Sequence, residues 1–239
     1  MSLIICVHVH EGIVLASDSR STYNNNIKTE SKEIVHIGTN ITDTTNKTFL
    51  CPNKVGLATC GDSSINGRPI AGFIEEFLLN KVTKDTPIDG MPQMIIDHFS
   101  IVAPSLRSVF FVVGYQKTDN HYEQRLYDVN TYEKKFRKFD TFNQGAVWQG
   151  EMDILTKLLN KTFTKNDNRL VEIPQFDIAW NLFNLQDAIN FAEFAIKTTT
   201  DTMSFQNRLK TVGGPIDILV IKPEETLWVK KKSLHANEK

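Results

Sequence analysis

Ser2 stands directly behind the initiator methionine in the opening run MSLIICVHVHEGIVLASDSRST. A small second residue favours removal of the methionine, which would leave serine carrying a free α-amine. An α-amine has a pKa of about 8, so a useful fraction of it is neutral at about neutral pH. The neutral amine can take the proton of the residue's own hydroxyl, directly or through a water. One residue would then serve as both nucleophile and base. The plainer reading is that Ser2 is only the small residue that permits methionine removal.

Such a terminus acts only if the chain positions it. Residues 2–10 are rich in Ile and Val and predict a strand, Glu11-Gly12 signals a tight turn, and IVLASD over 13–18 predicts the return strand. Together they form a hairpin that folds the N-terminus back beside Asp18 and Arg20. With Glu11 and Gly12 as the loop residues, Ser2 lies across from the region of Ser19 to Ser21.

Further along, residues 23–46 are polar and rich in Asn and Thr and read as a long connection, with a short strand at EIVHI. KTFLC and KVGLATCG predict two short strands. A helix through INGRPIAGFIEEFLLNKV follows, capped by Asp62 or Ser63, and a second around MPQMIIDHFSIVA has Pro92 in its tolerant first turn. Then come four strands, SVFFVVGYQ, YEQRLYDVN, YEKKFRKFD and GAVWQG. Helical patterns in EMDILTKLLNKTF and NLQDAINFAEFAIKTTTDTMSFQ flank a polar loop around 165–181. PIDILVIKP and TLWVKK close the chain as strands. Helices grouped between runs of antiparallel strands suit an α+β protein: a four-layer αββα sandwich of two stacked antiparallel sheets flanked by helices. The 239 residues are expected to form one domain over 1–239, with 233–239 a frayed tail.

The composition narrows the function. A formal net charge of −1 argues against a nucleic-acid or membrane-surface binder, both of which need a basic field. Cys6, Cys51 and Cys60 are odd in number, lack a CxxC spacing and sit among apolar residues, as buried thiols in a reducing compartment do. No signal peptide and no membrane span is visible, so a cytoplasmic location is expected. His8 and His10 read as strand residues. No metal spacing accompanies them, and neither a metal nor a cofactor is expected.

The hairpin also resembles a known group. EGIVLASDSRST is similar, nearly residue by residue, to the first hairpin of the proteasome β-subunit superfamily of N-terminal nucleophile hydrolases, which includes the proteasome β subunits, HslV and the Anbu-type relatives. That family's Asp lies sixteen positions after its nucleophile, as Asp18 lies after Ser2. Arg20 and Thr22 fall on the matching Arg and Thr. The family's lysine opens a later core strand, fourteen positions before the Gly that serves the oxyanion, and Lys47 in NKTFL and Gly61 in GLATCGD keep that spacing. Lys28 and Lys32 lie closer to Asp18. Lys47 is preferred because KTFL continues into the matched strand, which implies an insertion near 23–46, and Lys32 stays as the alternative.

The resemblance implies the Ntn-hydrolase fold and cleavage of peptide or amide bonds. It assigns Ser2, Asp18, Lys47 and Gly61 to catalysis, and Arg20 and Thr22 to the substrate side. Lys47 would lower the amine pKa and stabilise the alkoxide, Asp18 would hold Lys47, and the Gly61 N–H would stabilise the oxyanion. The resemblance further implies peptide or unfolded protein as substrate, a homo-oligomeric ring or related assembly, and an ATP-dependent unfoldase. Two features depart from it. RLKTVGGPID replaces the family's Asp-x-x-Ser-Gly stretch, and NQGAVWQG replaces its Gly-Ser-Gly stretch. They keep two alternatives open, a non-catalytic ring or scaffold subunit and a small-amide amidohydrolase of the same clan.

Overall fold

A computed structural model describes residues 2–28, 33–119 and 121–233; side chains are described outside 24–28 and 33–39. The chain begins with β1 (Leu3–Val9) and β2 (Gly12–Ser17). Next come β3 (Ser21–Lys28) and β4 (Glu33–Thr42), then β5 (Thr48–Leu50) and β6 (Gly56–Gly61). A small ribbon of β7 (Ser64–Ile65) and β8 (Arg68–Pro69) leads into α1 (Ile70–Lys81) and α2 (Met91–Val102). Four strands follow: β9 (Ser108–Lys117), β10 (Tyr122–Asn130), β11 (Lys135–Lys138) and β12 (Gly145–Gly150). The chain finishes with α3 (Asp153–Leu159), the ribbon β13 (Phe163–Asn166) and β14 (Arg169–Glu172), α4 (Leu185–Phe205), β15 (Asp217–Ile221) and β16 (Thr226–Lys230).

Two five-stranded antiparallel sheets carry the fold, in the orders β12-β1-β2-β15-β16 and β11-β10-β9-β6-β5. β1 lies inside the first sheet, between β12 and β2, and all seven of its residues are buried. Its apolar run, interrupted only by His8, follows from burial on both faces, which removes the usual in-out alternation. Ile4 and Cys6 pack with Leu15, Ala58, Phe111, Val113 and Leu219 between the sheets. Leu3, Ile5 and Val7 turn the other way and pack under α3 and α4 with Leu155, Ala192 and Ile196. On the far side, α1 and α2 cover the second sheet through Ile74, Phe77, Ile95 and Phe99. The order is helices, sheet, sheet, helices, the expected four-layer sandwich.

Several local expectations shift. β1 and β2 pair with Val9 opposite Gly12, so His10-Glu11 form the loop and Gly12 opens the return strand. Glu11 is drawn outward because its carboxylate accepts the Leu185 N–H at 2.8 Å in the first turn of α4. His10 therefore sits in the turn and only His8 in the strand. The polar stretch after β2 is a hairpin, β3 against β4, rather than a connection with one short strand. α1 starts late, after Pro69. Neither Asp62 nor Ser63 caps it with a side chain, because residues 64–69 turn back on themselves and the Ile70 N–H reaches the Ser63 carbonyl at 3.0 Å. Part of the expected loop at 165–181 and the end of the preceding helical pattern form β13 and β14. The long helix α4 carries a full capping box between Asn184 and Asp187. The expected frayed tail, apart from Ser233, lies outside the described residues.

Candidate active site

Asp18 directly follows β2 in the first sheet, and Lys47 directly precedes β5 in the second, so a bond between them closes one end of the sandwich. Lys47 Nζ donates to Asp18 Oδ1 at 2.8 Å and also to the Arg20 carbonyl. Next to it, Thr48 Oγ1 donates to Ser17 Oγ at 2.7 Å. Lys28 and Lys32 were the nearer lysines in sequence. Lys32 lies outside the described residues, as does the side chain of Lys28. The extra chain length between Arg20 and Lys47 is taken up by the β3–β4 hairpin, whose two ends return to the same place: the Thr45 N–H donates to the Ser19 carbonyl at 3.1 Å.

The Asp18 carboxylate is saturated with donors. Oδ1 accepts the Leu3 N–H at 3.0 Å as well as Lys47. Oδ2 accepts the Arg20 N–H at 3.1 Å and the Gly213 N–H at 3.0 Å. Four donors around a fully buried carboxylate offset its desolvation. Burial pushes the Lys47 ammonium below its ordinary pKa, while the charge and hydrogen bond of Asp18 oppose that shift.

The same carboxylate fixes where the chain starts. The Leu3 N–H belongs to the peptide that joins Ser2 to Leu3, so Ser2 is one peptide away from the Asp18–Lys47 pair. On its other side the Ser2 carbonyl accepts the Glu151 N–H at 2.8 Å. Gly150 makes this approach possible: it has φ +102°, and a Cβ there would lie 1.8 Å from the Ser2 carbonyl oxygen and 3.4 Å from Cys60 Cβ. Ser2 and the end of β6 are thus brought to one point.

Gly61 ends β6 with φ +120°, and a Cβ there would meet the Arg107 carbonyl oxygen at 2.3 Å. Only glycine fits that backbone. The Thr59 N–H donates to the Lys47 carbonyl at 2.9 Å. Alternation along the strand turns the Gly61 N–H to that same edge, where a developing negative charge could be met.

Arg20 and Thr22 are placed differently from the other four. The Arg20 guanidinium is held bidentately by Asp43, with Nε to Oδ1 and Nη2 to Oδ2 both at 2.7 Å. It is therefore committed to a structural pair, and its backbone, not its side chain, faces Lys47 and Asp18. Thr22 is buried, its Oγ1 has no partner among the described residues, and its carbonyl accepts Ser63 Oγ at 3.2 Å.

Sequence reasoning passed over several neighbours. Gly213 supplies a donor to Asp18 from the closing segment that departs most from the family pattern; the paired glycines of VGGP are the only signal for it. Glu151, Arg208 and Thr211 form a linked cluster beside Ser2. Lys232 makes a second buried pair, with Asp217, which faces Ser17 across the sheet. Cys60 stands next to Gly61, but burial pushes its thiol up to about 12, which suits a core residue and not a nucleophile. Among the described residues no group of three or more His, Cys, Asp or Glu side chains is placed to hold a metal ion. No helix of the described residues is long and apolar enough to cross a membrane.

No protein-family model and no curated protein matches the chain. Solved structures do. Anbu from Hyphomicrobium sp. strain MC1 superposes with a TM-score of 0.58 over 97% of this chain and 88% of its own. The Gly-1 mutant of the same Anbu superposes with a TM-score of 0.57 over 100% of this chain and 89% of its own. The chain has the proteasome β-type fold. At 14% identity to Anbu the likeness is one of fold. Chemistry must be argued from the residues themselves.

Proposed function

We propose that the protein is an N-terminal nucleophile hydrolase of the proteasome type, cleaving peptide or amide bonds with Ser2 after removal of Met1. The observation that carries this reading is the shared grip of Asp18 Oδ1 on the Lys47 ammonium and the Leu3 N–H. It ties a buried cation to the peptide that follows Ser2, inside a fold that hosts such chemistry.

In this reading the Ser2 amine takes the hydroxyl proton, and the electron pair left on Oγ attacks the substrate carbonyl carbon. Lys47 stabilises the alkoxide, and its positive charge favours the neutral form of the amine. Asp18 holds Lys47 in place. The Gly61 N–H meets the oxyanion, a contribution of about 3–4 kcal/mol for one donor in other enzymes. The protonated amine then returns its proton to the leaving amine, and water resolves the ester. Thr22 would act through its backbone, by pairing with an extended peptide, and Arg20 would brace that strand through its pair with Asp43. A homo-oligomeric ring, a cytoplasmic location, unfolded protein as substrate and an ATP-dependent unfoldase belong to the same reading.

Intact mass spectrometry of the native protein is the first test, followed by treatment with a peptide epoxyketone or β-lactone. Loss of Met1 and an adduct on Ser2 that Ser2→Ala abolishes are the expected results. Retained Met1, or amide hydrolysis unchanged in Ser2→Ala, overturns the reading. Native mass spectrometry tests the ring.

A non-catalytic scaffold subunit is the second reading. One observation favours it: Glu151, Arg208 and Thr211 near the N-terminus are already ion-paired and hydrogen-bonded to one another.

A further inference from the structure

Three side chains meet beside the start of β1. Glu151 is buried, and its carboxylate is held from both sides. Oε1 accepts Thr211 Oγ1 at 2.6 Å, and Oε2 accepts Arg208 Nη2 at 2.5 Å. Arg208 also donates through Nη1 to Asp153 Oδ2 at 2.7 Å in the first turn of α3. An ion-paired carboxylate shut away from water at this place is not required by the strand pairing, which uses only backbone. A buried charge is costly unless it is paired, and an apolar residue of similar size would fill the space more cheaply.

The backbone shows what this carboxylate stands next to. β1 and β12 pair with Leu3 opposite Gly150. The Glu151 N–H donates to the Ser2 carbonyl at 2.8 Å, which extends that ladder by one step. Ser2 and Glu151 are therefore joined through their backbones, at the left-handed Gly150 where β12 ends.

We infer that Glu151, braced by Arg208 and Thr211, is the positioning residue for the α-amine of Ser2. The inference rests on the nucleophile reading of Ser2 and adds to it the control of the amine. When the hydroxyl proton moves to the amine, the Oγ–H bond breaks, an N–H bond forms, and the amine becomes an ammonium. A carboxylate beside Ser2 stabilises that ammonium, while Lys47 on the other side disfavours it. The charged and titratable groups around the terminus are Lys47 and Asp18 at the ends of β5 and β2, Cys60 on β6, Glu151 and Asp153 from the β12–α3 side, and Arg208 from the segment after α4, with Asp128 on β10 and Lys232 after β16 further out. Of these, Glu151 is the carboxylate whose own backbone is bonded to Ser2 itself.

The test measures the amine directly. Competitive acetylation with acetic anhydride over a pH series, read by mass spectrometry of the N-terminal peptide, gives its pKa in the whole protein. Glu151→Gln is expected to lower that pKa and to shift the acid limb of the activity profile to lower pH by the same amount. Glu151→Asp, which keeps the charge on a shorter arm, is expected to stay close to the native value. A merely structural role predicts the reverse order, because Gln is closer to Glu in shape. If the Gln variant leaves the amine pKa unmoved, or Asp disturbs it more than Gln does, the inference fails while the nucleophile reading stands. If Met1 is retained, both fail together.

Discussion

Lys47 and Asp18 meet at 2.8 Å with 4% and 0% of their side chains exposed, one from each sheet of the sandwich. A pair so far from water depends on both partners. Lys47→Met leaves a buried carboxylate without its cation, and urea unfolding is expected to show a loss of about 3–5 kcal/mol. Labelling of Ser2 by a peptide epoxyketone should vanish in the same variant under conditions where it is folded.

Two aspartates near the site should behave in opposite ways. Asp18→Asn puts an amide N–H₂ among four donors, at the cost of about 3 kcal/mol or more. Asp43→Asn weakens only the pair with Arg20, whose side chains are 41% and 23% exposed, and should cost at most about 1 kcal/mol. Equal losses in thermal unfolding would contradict this contrast.

Gly61→Ala is expected to be more harmful than any other small substitution on β6. The new methyl meets a backbone oxygen at 2.3 Å, and the left-handed φ adds strain of about 1–3 kcal/mol. The strand end must shift, so activity should fall to the level of Ser2→Ala even where circular dichroism shows a folded protein.

The three thiols predict alkaline weakening. Cys51 and Cys60 are pushed by burial from 9.0 up to about 12, and Cys6 is raised further by the same cause. In the unfolded chain the thiols release protons first, so the folded state holds more protons between those values. Their contribution is therefore full below about pH 9 and is lost as pH rises towards 12, at about 1.4 kcal/mol per pKa unit for each thiol. Lys47 acts in the opposite sense, because its folded pKa lies below 10.5 and its burial cost is relieved as it deprotonates. Urea midpoints over a pH series should fall above pH 9, and fall less in a Cys51→Ala, Cys60→Ala double variant. The native thiols should also resist iodoacetamide at neutral pH.

Much of the frame was legible in the chain. The runs at 3–9 and 13–17 are dense in β-branched residues, and their nearly continuous apolar character, broken only by His8 and Ser17, signals burial on both faces. The period of NLQDAINFAEFAI and its Asn184–Asp187 capping pair specify α4 from neighbours a few residues apart. Local patterns misled where tertiary contacts compete with them. His10 left the expected strand for the turn, where Glu11 reaches the first turn of α4, and the polar run after Ser21 paired with itself.

The sequence by itself determined the core strands, the helices, the position of Ser2 behind Met1, and the spacings from Ser2 to Asp18 and from Lys47 to Gly61. These depend on side-chain type and on period, which are local properties of a chain. Only the tertiary structure decided that the ammonium of Lys47 meets Asp18, that Gly213 adds a donor to that carboxylate, and that the Glu151 N–H meets the Ser2 carbonyl. Those contacts join residues 29, 195 and 149 positions apart. No local preference encodes them. They follow from closing two sheets on one another, where a buried charge must find its partner or the sandwich does not form.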